Sequence, residues 1–384
     1  MAKAAVLNQQ LTLEKLLGSL SQSGPLKAQA LCEFLKISQP AFSRLITQAH
    51  GSVMRIGRGR QTLYALKKLG AWGKPEIPVC SLNEKGNLNH VATLHPILPQ
   101  GFYLESHTET ISTRIYKNLP YFFEDLRPSG FLGSLVPRLY PDLGFPEDIN
   151  TWTDEHCILY LSRCGWDLIG NFIIGEESYE KYLVSRQKQL DVVDEADREK
   201  RYPQNAEQVL SKGMPGSSAA GEQPKFLSIL KTKKGLLPVI VKFSPPLKDT
   251  ISRRVADLLL CEHVAHTVLR QYGQTSPQSS LIMGQDRLFL EIERFDRNFE
   301  GRRGVLSLRA LDLEFVGQLR SWTETAESLF RQKRIDQVTY KNIVWLEVFG
   351  KLIGNTDRHH GNISFFCDGE KISGLAPVYD MLPM

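Results

Sequence analysis

Leucines at 13, 16, 17 and 20 recur at helical spacing from Thr12 to Leu20, and Ser23-Gly24-Pro25 ends that segment. Leu26, Ala30, Leu31, Phe34 and Leu35 supply the inner face of a second short helix, after which the chain turns at Lys36-Ile37. Ser38 is a good N-cap and Pro40 is tolerated in a first turn, so a third helix is predicted from about Gln39 to Ala49, with Phe42, Leu45 and Ile46 inward. Its outward positions are Gln39, Ser43, Arg44, Thr47 and Gln48. Two short helices joined by a tight turn, the second presenting polar groups, describe a helix-turn-helix. Met54 and Ile56 before Gly57-Arg58-Gly59, with Leu63, Tyr64 and Leu66 after it, predict a hairpin over 53–66. This hairpin is the expected wing, with Arg55, Arg58 and Arg60 on or near its tip.

Gly70 to Pro78 marks a boundary, after which the pattern turns to strand-like segments and loops. Residues 213–221 are rich in small side chains, and Gln223-Pro224-Lys225 leads into an apolar strand over 226–230. A buried strand is predicted over 236–243 with Lys242 inside it, then a helix over 253–269 and a strand over 288–293 that ends in Arg294-Phe295-Asp296-Arg297.

Composition places the chain among globular proteins of more than one module: 384 residues, 42% hydrophobic and 23% charged. No run approaches the length of a membrane span and no leader pattern opens the chain, so no membrane partner and a cytoplasmic location are expected. Six scattered cysteines without a Cys-x-x-Cys pair argue for reduced thiols rather than disulfides or zinc. Cys261-Glu262-His263-Val264-Ala265-His266 lies in an apolar helical stretch and lacks a second ligand group at metal spacing. The net charge is only +5, yet residues 36–74 hold eight Lys or Arg and no Asp or Glu. With the helix-turn-helix and wing, this excess points to double-stranded DNA, read by Gln39, Ser43, Arg44 and Thr47 and held by Arg55, Arg58 and Arg60. A basic face that contacts protein is the alternative.

The chemistry is concentrated near the end. Asp357 and Asn362 have four residues between them, and Asp380 follows a short apolar hairpin. Protein kinases space a catalytic Asp and a metal-binding Asn in this way and add a second metal-binding Asp downstream. The spacing alone also fits a loop of any α/β enzyme. The small-residue loop over 213–221 would let backbone N–H groups approach phosphates, or would serve as a linker. Lys242 is either an edge residue or a phosphate partner.

Taken in order, Ser218-x-x-Gly221-x-Gln223-x-Lys225, Lys242, Glu293-Arg294-Phe295-Asp296-Arg297, Asn355-Thr356-Asp357-Arg358-His359-x-x-Asn362 and Tyr379-Asp380 resemble the HipA family of bacterial toxin kinases. Phe122 to Pro128 and Asp167 to Asn171 extend the likeness, which covers roughly residues 76–384. The resemblance implies an α+β chain: a winged helix-turn-helix over 1–74, a HipA-like N-terminal region and kinase N-lobe over 75–299, and a C-lobe over 300–384. It implies a Mg-ATP-dependent serine/threonine kinase of a toxin–antitoxin system, with ATP and Mg2+ as cofactors. Its partners would be a protein carrying a Ser or Thr acceptor, DNA and an antitoxin. Asp357 would be catalytic, and Asn362 and Asp380 the magnesium ligands. Gly221, Gln223, Lys225 and Lys242 would meet ATP, with Glu291, Glu293 and Phe295 at the adenine hinge. Ser218 would occupy the autophosphorylated position beside the nucleotide, with Ser217 its competitor.

Three departures stand out. The fused DNA module resembles the HipH (YjjJ) subgroup. The usual His-Gln-Glu-Asp segment has only Arg309-Ala310-Leu311-Asp312 to match it, and the sequence ends at Met384, so the resemblance implies an incomplete C-lobe. Two other functions compete: a transcriptional regulator on an inactive kinase-fold scaffold, and a metal-dependent enzyme that cleaves DNA through Asp357, His359, His360 and Asp380. His359 and His360 are expected to pack or orient, and Arg294 to Arg297 to form a salt-bridged turn.

Overall fold

The computed structural model describes residues 2–49, 51–70, 72–187, 191–211 and 223–384, with side chains from residue 9 onward. Ser217, Ser218 and Gly221 therefore lie outside the described residues. The architecture is mixed α+β, and the chain divides into two compact units, Met1–Val79 with Val91–Pro120, and Cys80–His90 with Tyr121–Met384.

The first unit opens with α1 (Ala2–Ser23), β1 (Leu26–Lys27), α2 (Ala28–Leu35), α3 (Gln39–Gln48), β2 (Val53–Ile56) and β3 (Leu63–Leu66). Its strands form an antiparallel sheet of order β1-β3-β2. The inward residues of the helical stripes, Leu16, Leu20, Leu31, Phe42 and Leu45, make one buried cluster, and Phe42 meets the Tyr64 ring edge-on at 5.0 Å. α2 stops because Lys36 adopts a left-handed conformation, φ 53°, and returns its N–H to Glu33. Along β2 the side chains alternate: Met54 and Ile56 are buried and Arg55 is exposed. The strand β4 (Ile77–Leu82) is followed by β5 (Leu88–Pro96), β6 (Phe102–Ser106) and β7 (Arg114–Tyr116), of which β5, β6 and β7 pair antiparallel. Met54, Ile56 and Ala65 pack against Ile97 and Tyr103, so the hairpin shares a core with residues beyond 74.

The second unit contains α4 (Gly130–Ser134), α5 (Val136–Leu139), α6 (Asp154–Cys164), β8 (Phe172–Ile174) and α7 (Glu176–Gln187). Next come β9 (Val192–Asp194), α8 (Arg198–Ser211), β10 (Lys225–Thr232), β11 (Gly235–Phe243), α9 (Thr250–Gln271), β12 (Ser279–Gly284) and β13 (Arg287–Glu293). Their strands form a five-stranded sheet of order β12-β13-β11-β10-β9. Tyr202 of α8 packs with Phe226, Phe243 and Phe289 of the sheet, while Leu259 of α9 packs with Leu290 and Ile292. Asp249 caps α9 by accepting from the Ser252 N–H at 2.7 Å, and Ser252 returns the bond. The chain closes with β14 (Gly304–Ser307), α10 (Leu308–Phe315), α11 (Trp322–Arg331), α12 (Gln337–Leu352), β15 (Ser364–Asp368) and β16 (Lys371–Leu375), the three strands forming a sheet of order β14-β15-β16. All six cysteines are free. Among the described residues no helix is long and apolar enough to cross a membrane.

Candidate active site

A cavity of about 550 Å3 in the second unit is lined by Lys225 and Lys242 from the sheet, Glu262 from α9, Glu293 at the end of β13, Phe295 just beyond it, and Asp380. That volume is in the range of small-molecule sites. Register puts Lys225 directly opposite Lys242 on neighbouring strands. Both cations therefore serve one region of the cavity wall. Leu132, Leu135, Tyr140, Tyr160 and Leu168, from the stretch of chain between 121 and 183, add an apolar wall.

Lys242 is buried, and its ammonium lies 2.6 and 2.7 Å from the two oxygens of Glu262. It also donates to the Asp380 carboxylate. Burial disfavours its charge, but Asp380 and Glu262 outweigh burial and hold the ammonium above the usual lysine range. Complete burial pushes the Glu262 carboxyl up against the pull of Lys242. For Asp380 burial is outweighed by Lys242 and then Lys225, which hold its carboxyl well below the usual carboxylate range. Asp380 also adopts φ 54°, a left-handed conformation that Asp tolerates better than most residues and that often marks functional positions.

The loop after α12 carries Asp357, which is exposed. Asn362 is buried and donates from Nδ2 to the Asp357 carbonyl at 3.0 Å. Asn355, fully buried, accepts from the Asp357 N–H at 3.0 Å and donates to the Asp380 carbonyl at 3.2 Å, tying the two acidic residues to one support. The Tyr379 hydroxyl bonds the Gly361 carbonyl, and Trp322 Nε1 donates to the His359 carbonyl at 3.0 Å. The buried His360 ring lies 2.9 Å from the Thr325 hydroxyl, which itself reaches Asp312 at 3.3 Å. His360 thus anchors the loop. The expected salt-bridged turn is present: Arg294 donates to both Asp296 oxygens at 2.8 and 2.7 Å.

The structure thus gathers Lys225, Lys242, Glu293, Phe295 and Asp380 around one cavity, and links Asp357 and Asn362 to it through Asn355. Phe295 stacks on Tyr379 at 5.8 Å. Gln223 is half-buried just before β10 and does not line the cavity. Glu291 does not line it either: its side chain turns to α8, where Arg198 donates at 3.1 Å and Tyr202 also bonds it. The residue that sequence reasoning missed is Glu262. Its signal was an acid, one of two with Asp257, in a largely apolar helix downstream of a strand lysine.

On the outer face of α3, Gln39, Ser43, Arg44 and Thr47 are exposed, as are Arg55, Arg58 and Arg60 on the hairpin. No Asp or Glu occurs among residues 36–74 to pair with these cations locally.

Comparison with known proteins matches residues 73–183 to the middle domain of YjjJ-like toxins and residues 217–384 to the HipA-like C-terminal domain. The chain is 35% identical to Toxin YjjJ of Escherichia coli (strain K12) over 373 residues, 96% of this chain and 82% of that protein. It belongs to the YjjJ-like, HipA-type toxin family. Among solved structures, a Shewanella oneidensis MR-1 complex of HipA, HipB and operator DNA matches with a TM-score of 0.57 at 17% identity, over 79% of this chain and 76% of that one. This likeness concerns the fold. The Helicobacter pylori proinflammatory kinase CtkA matches at a TM-score of 0.32 and 18% identity, over 41% of this chain and 56% of its own.

Proposed function

We propose that this chain is a Mg-ATP-dependent serine/threonine protein kinase acting as the toxin of a toxin–antitoxin pair. The observation that carries this reading is Lys242 held between Glu262 and Asp380 at the wall of a cavity. Protein kinases need a strand lysine paired with a helix glutamate, and a downstream Asp and a loop Asn to hold metal. Entering ATP phosphates would compete for Lys242 and release Asp380. The Asp380 carboxylate and Asn362 Oδ1 are hard oxygen donors of the kind magnesium takes together with phosphates and water. Magnesium bound there would neutralise charge on the phosphates. Asp357 would orient the acceptor hydroxyl and take its proton as the hydroxyl oxygen bonds the γ-phosphorus and the bond to ADP breaks.

The first three helices and the hairpin form, on this reading, a winged helix-turn-helix that binds double-stranded DNA and autoregulates its own operon. The element order, the exposed polar face of α3 and the exposed wing arginines support it. The related HipA was solved with HipB and operator DNA, which supports an antitoxin and DNA as partners. The DNA-cleaving alternative draws less support, because His360 is engaged by Thr325.

Intact-mass measurement after incubation with Mg-ATP tests the kinase reading. ATP-dependent addition of phosphate, lost in D357A, is expected. A regulator on an inactive scaffold would instead show no mass change while still binding DNA, and that result would reject the kinase.

A further inference from the structure

A second hollow, of about 380 Å3, lies in the same unit and is lined by Asp167, Tyr182, Arg186, Arg294, Arg297 and Arg302 among others. It shares Trp166, Asp167, Leu227 and Arg294 with the first cavity, but neither Lys242 nor Asp380 reaches it. Nothing in the phosphotransfer chemistry uses it.

Its charges do not balance. Arg294, Arg297 and Arg302 have side chains only 7%, 10% and 6% exposed. The carboxylates that meet them are Asp296 and Asp167. Asp296 is fully occupied, accepting from Arg294, from Arg297 and from the Gly170 N–H. Asp167 accepts from Arg297. Arg302 meets the Trp166 carbonyl at 2.7 Å, a distant Asp167 oxygen at 3.6 Å and the Tyr182 ring, over which its guanidinium lies at 5.4 Å. Its Nη1 is buried with no hydrogen-bond partner. Three guanidiniums thus face two carboxylates. Burial first, and the Arg297 charge next, push Arg302 down to about 10, and it remains a cation at neutral pH.

Two more acids line the hollow, and neither relieves the excess. Asp191 is taken by Arg201, and Glu300 is exposed. On the rim, Arg186 is exposed, donates to the Phe299 carbonyl at 2.9 Å and lies over the Phe299 ring at 5.7 Å. Trp166, Tyr182 and Phe299 supply aromatic surface. A space of this volume exceeds what a bare phosphate fills and matches the lower range of small-molecule pockets.

We propose that this hollow is a second ligand site, which takes a small organic phosphate monoester with its phosphate on Arg302 and Arg186 and its body against the aromatic side chains. Guanidinium forks match phosphate oxygens in two-point contacts, and an entering dianion would meet the surplus charge and, once the Arg302 guanidinium turns towards the hollow, give Nη1 the acceptor it lacks. The site does not depend on the kinase reading, since it would bind whether or not phosphate is transferred.

Calorimetric titration of the full chain in chloride buffer with uridine monophosphate, inorganic phosphate and uridine tests this. Uridine monophosphate is expected to bind more tightly than inorganic phosphate, and uridine to bind more weakly than either. Its binding should persist in K242M, which disables the first cavity, and weaken roughly tenfold or more in R302M. R186A, on the exposed rim, gives the same reading where R302M is too unstable to titrate. Absence of binding by uridine monophosphate, equal binding by uridine, affinity unchanged in R186A and R302M, or loss of binding in K242M whose circular dichroism matches the folded parent would each overturn the assignment.

Discussion

Lys242 and Glu262 stand on a strand and on the helix that follows it, and they meet through two contacts, Nζ to Oε1 at 2.6 Å and to Oε2 at 2.7 Å. Glu262 is fully buried, so K242M leaves a carboxylate without its cation. Breaking such a pair from one side costs about 3–5 kcal/mol. Denaturant unfolding should show a loss of that order in K242M, together with loss of ATP-dependent phosphorylation. E262Q, which keeps shape and a hydrogen-bond acceptor, should unfold closer to the parent while still losing activity. Parent-like stability in K242M would contradict the buried pair.

Asp357 and Asp380 share the support of Asn355, so replacing either should disable chemistry without reaching the basic segment. D357A should lower phosphorylation about 100-fold to 10,000-fold, the usual effect of removing a general base. D380A should abolish it. Duplex binding by the full chain should match the parent in both variants, as read by fluorescence anisotropy. Full phosphorylation in both would reject the kinase assignment.

DNA affinity should fall steeply with salt, because Arg44, Arg55, Arg58 and Arg60 are exposed cations. R58A and R60A should each reduce the log–log salt slope by about 0.9 and weaken all sequences alike. Q39A and S43A should change sequence preference instead. A flat response to salt would count against DNA contact altogether.

His266 is fully buried on α9, and neither ring nitrogen has a hydrogen-bond partner. Burial, and then the charge of Lys242, pull it down from 6.5 to about 3. The unfolded chain therefore takes up a proton that the folded chain refuses. The neutral ring's contribution is whole above pH 6.5 and is lost as pH falls towards 3. The slope in that window reaches at most about 1.4 kcal/mol per pH unit. Urea unfolding at about pH 7 and about pH 5 should show H266L losing less stability on acidification than the parent. Equal losses would mean that His266 is not the group responsible.

Tandem mass spectrometry should find one dominant phosphate within Ser217 to Ser218, dependent on Asp357. A phosphate adds about −1.5 to −2 charge, which beside a phosphate-binding site repels ATP. ATP titration should be weaker for the modified protein. Equal affinity in the two forms would remove the inhibitory role while leaving the kinase reading intact.

Much of the first unit was legible along the chain. Helical spacing with Ser38 and Pro40 predicts a helix from about residue 39, and α3 runs Gln39–Gln48. The hairpin over 53–66, and the strands that hold Lys242 and end at Arg294, also form where alternation and apolar runs predict them. These are local signals, because helix and strand periods decide which side chains share a face within a few residues. The orientation of Glu291 had no such signal. β13 is buried along nearly its whole length, so hydropathy does not distinguish its two faces.

The sequence by itself determined which reactive groups exist and in what order: Lys242, then Asp357, Asn362 and Asp380, after a basic segment free of acids. Only the tertiary structure decided that Glu262 is the partner of that lysine, and that Glu291 serves Arg198 and Tyr202. It also decided that three arginines share two carboxylates beside a second hollow. Each of these is a meeting of residues far apart in the chain, set by the strand order β12-β13-β11-β10-β9 and by which helix covers which face. Burial then gives those meetings their weight, since a charge withdrawn from water must find its counterpart wherever the fold has put one.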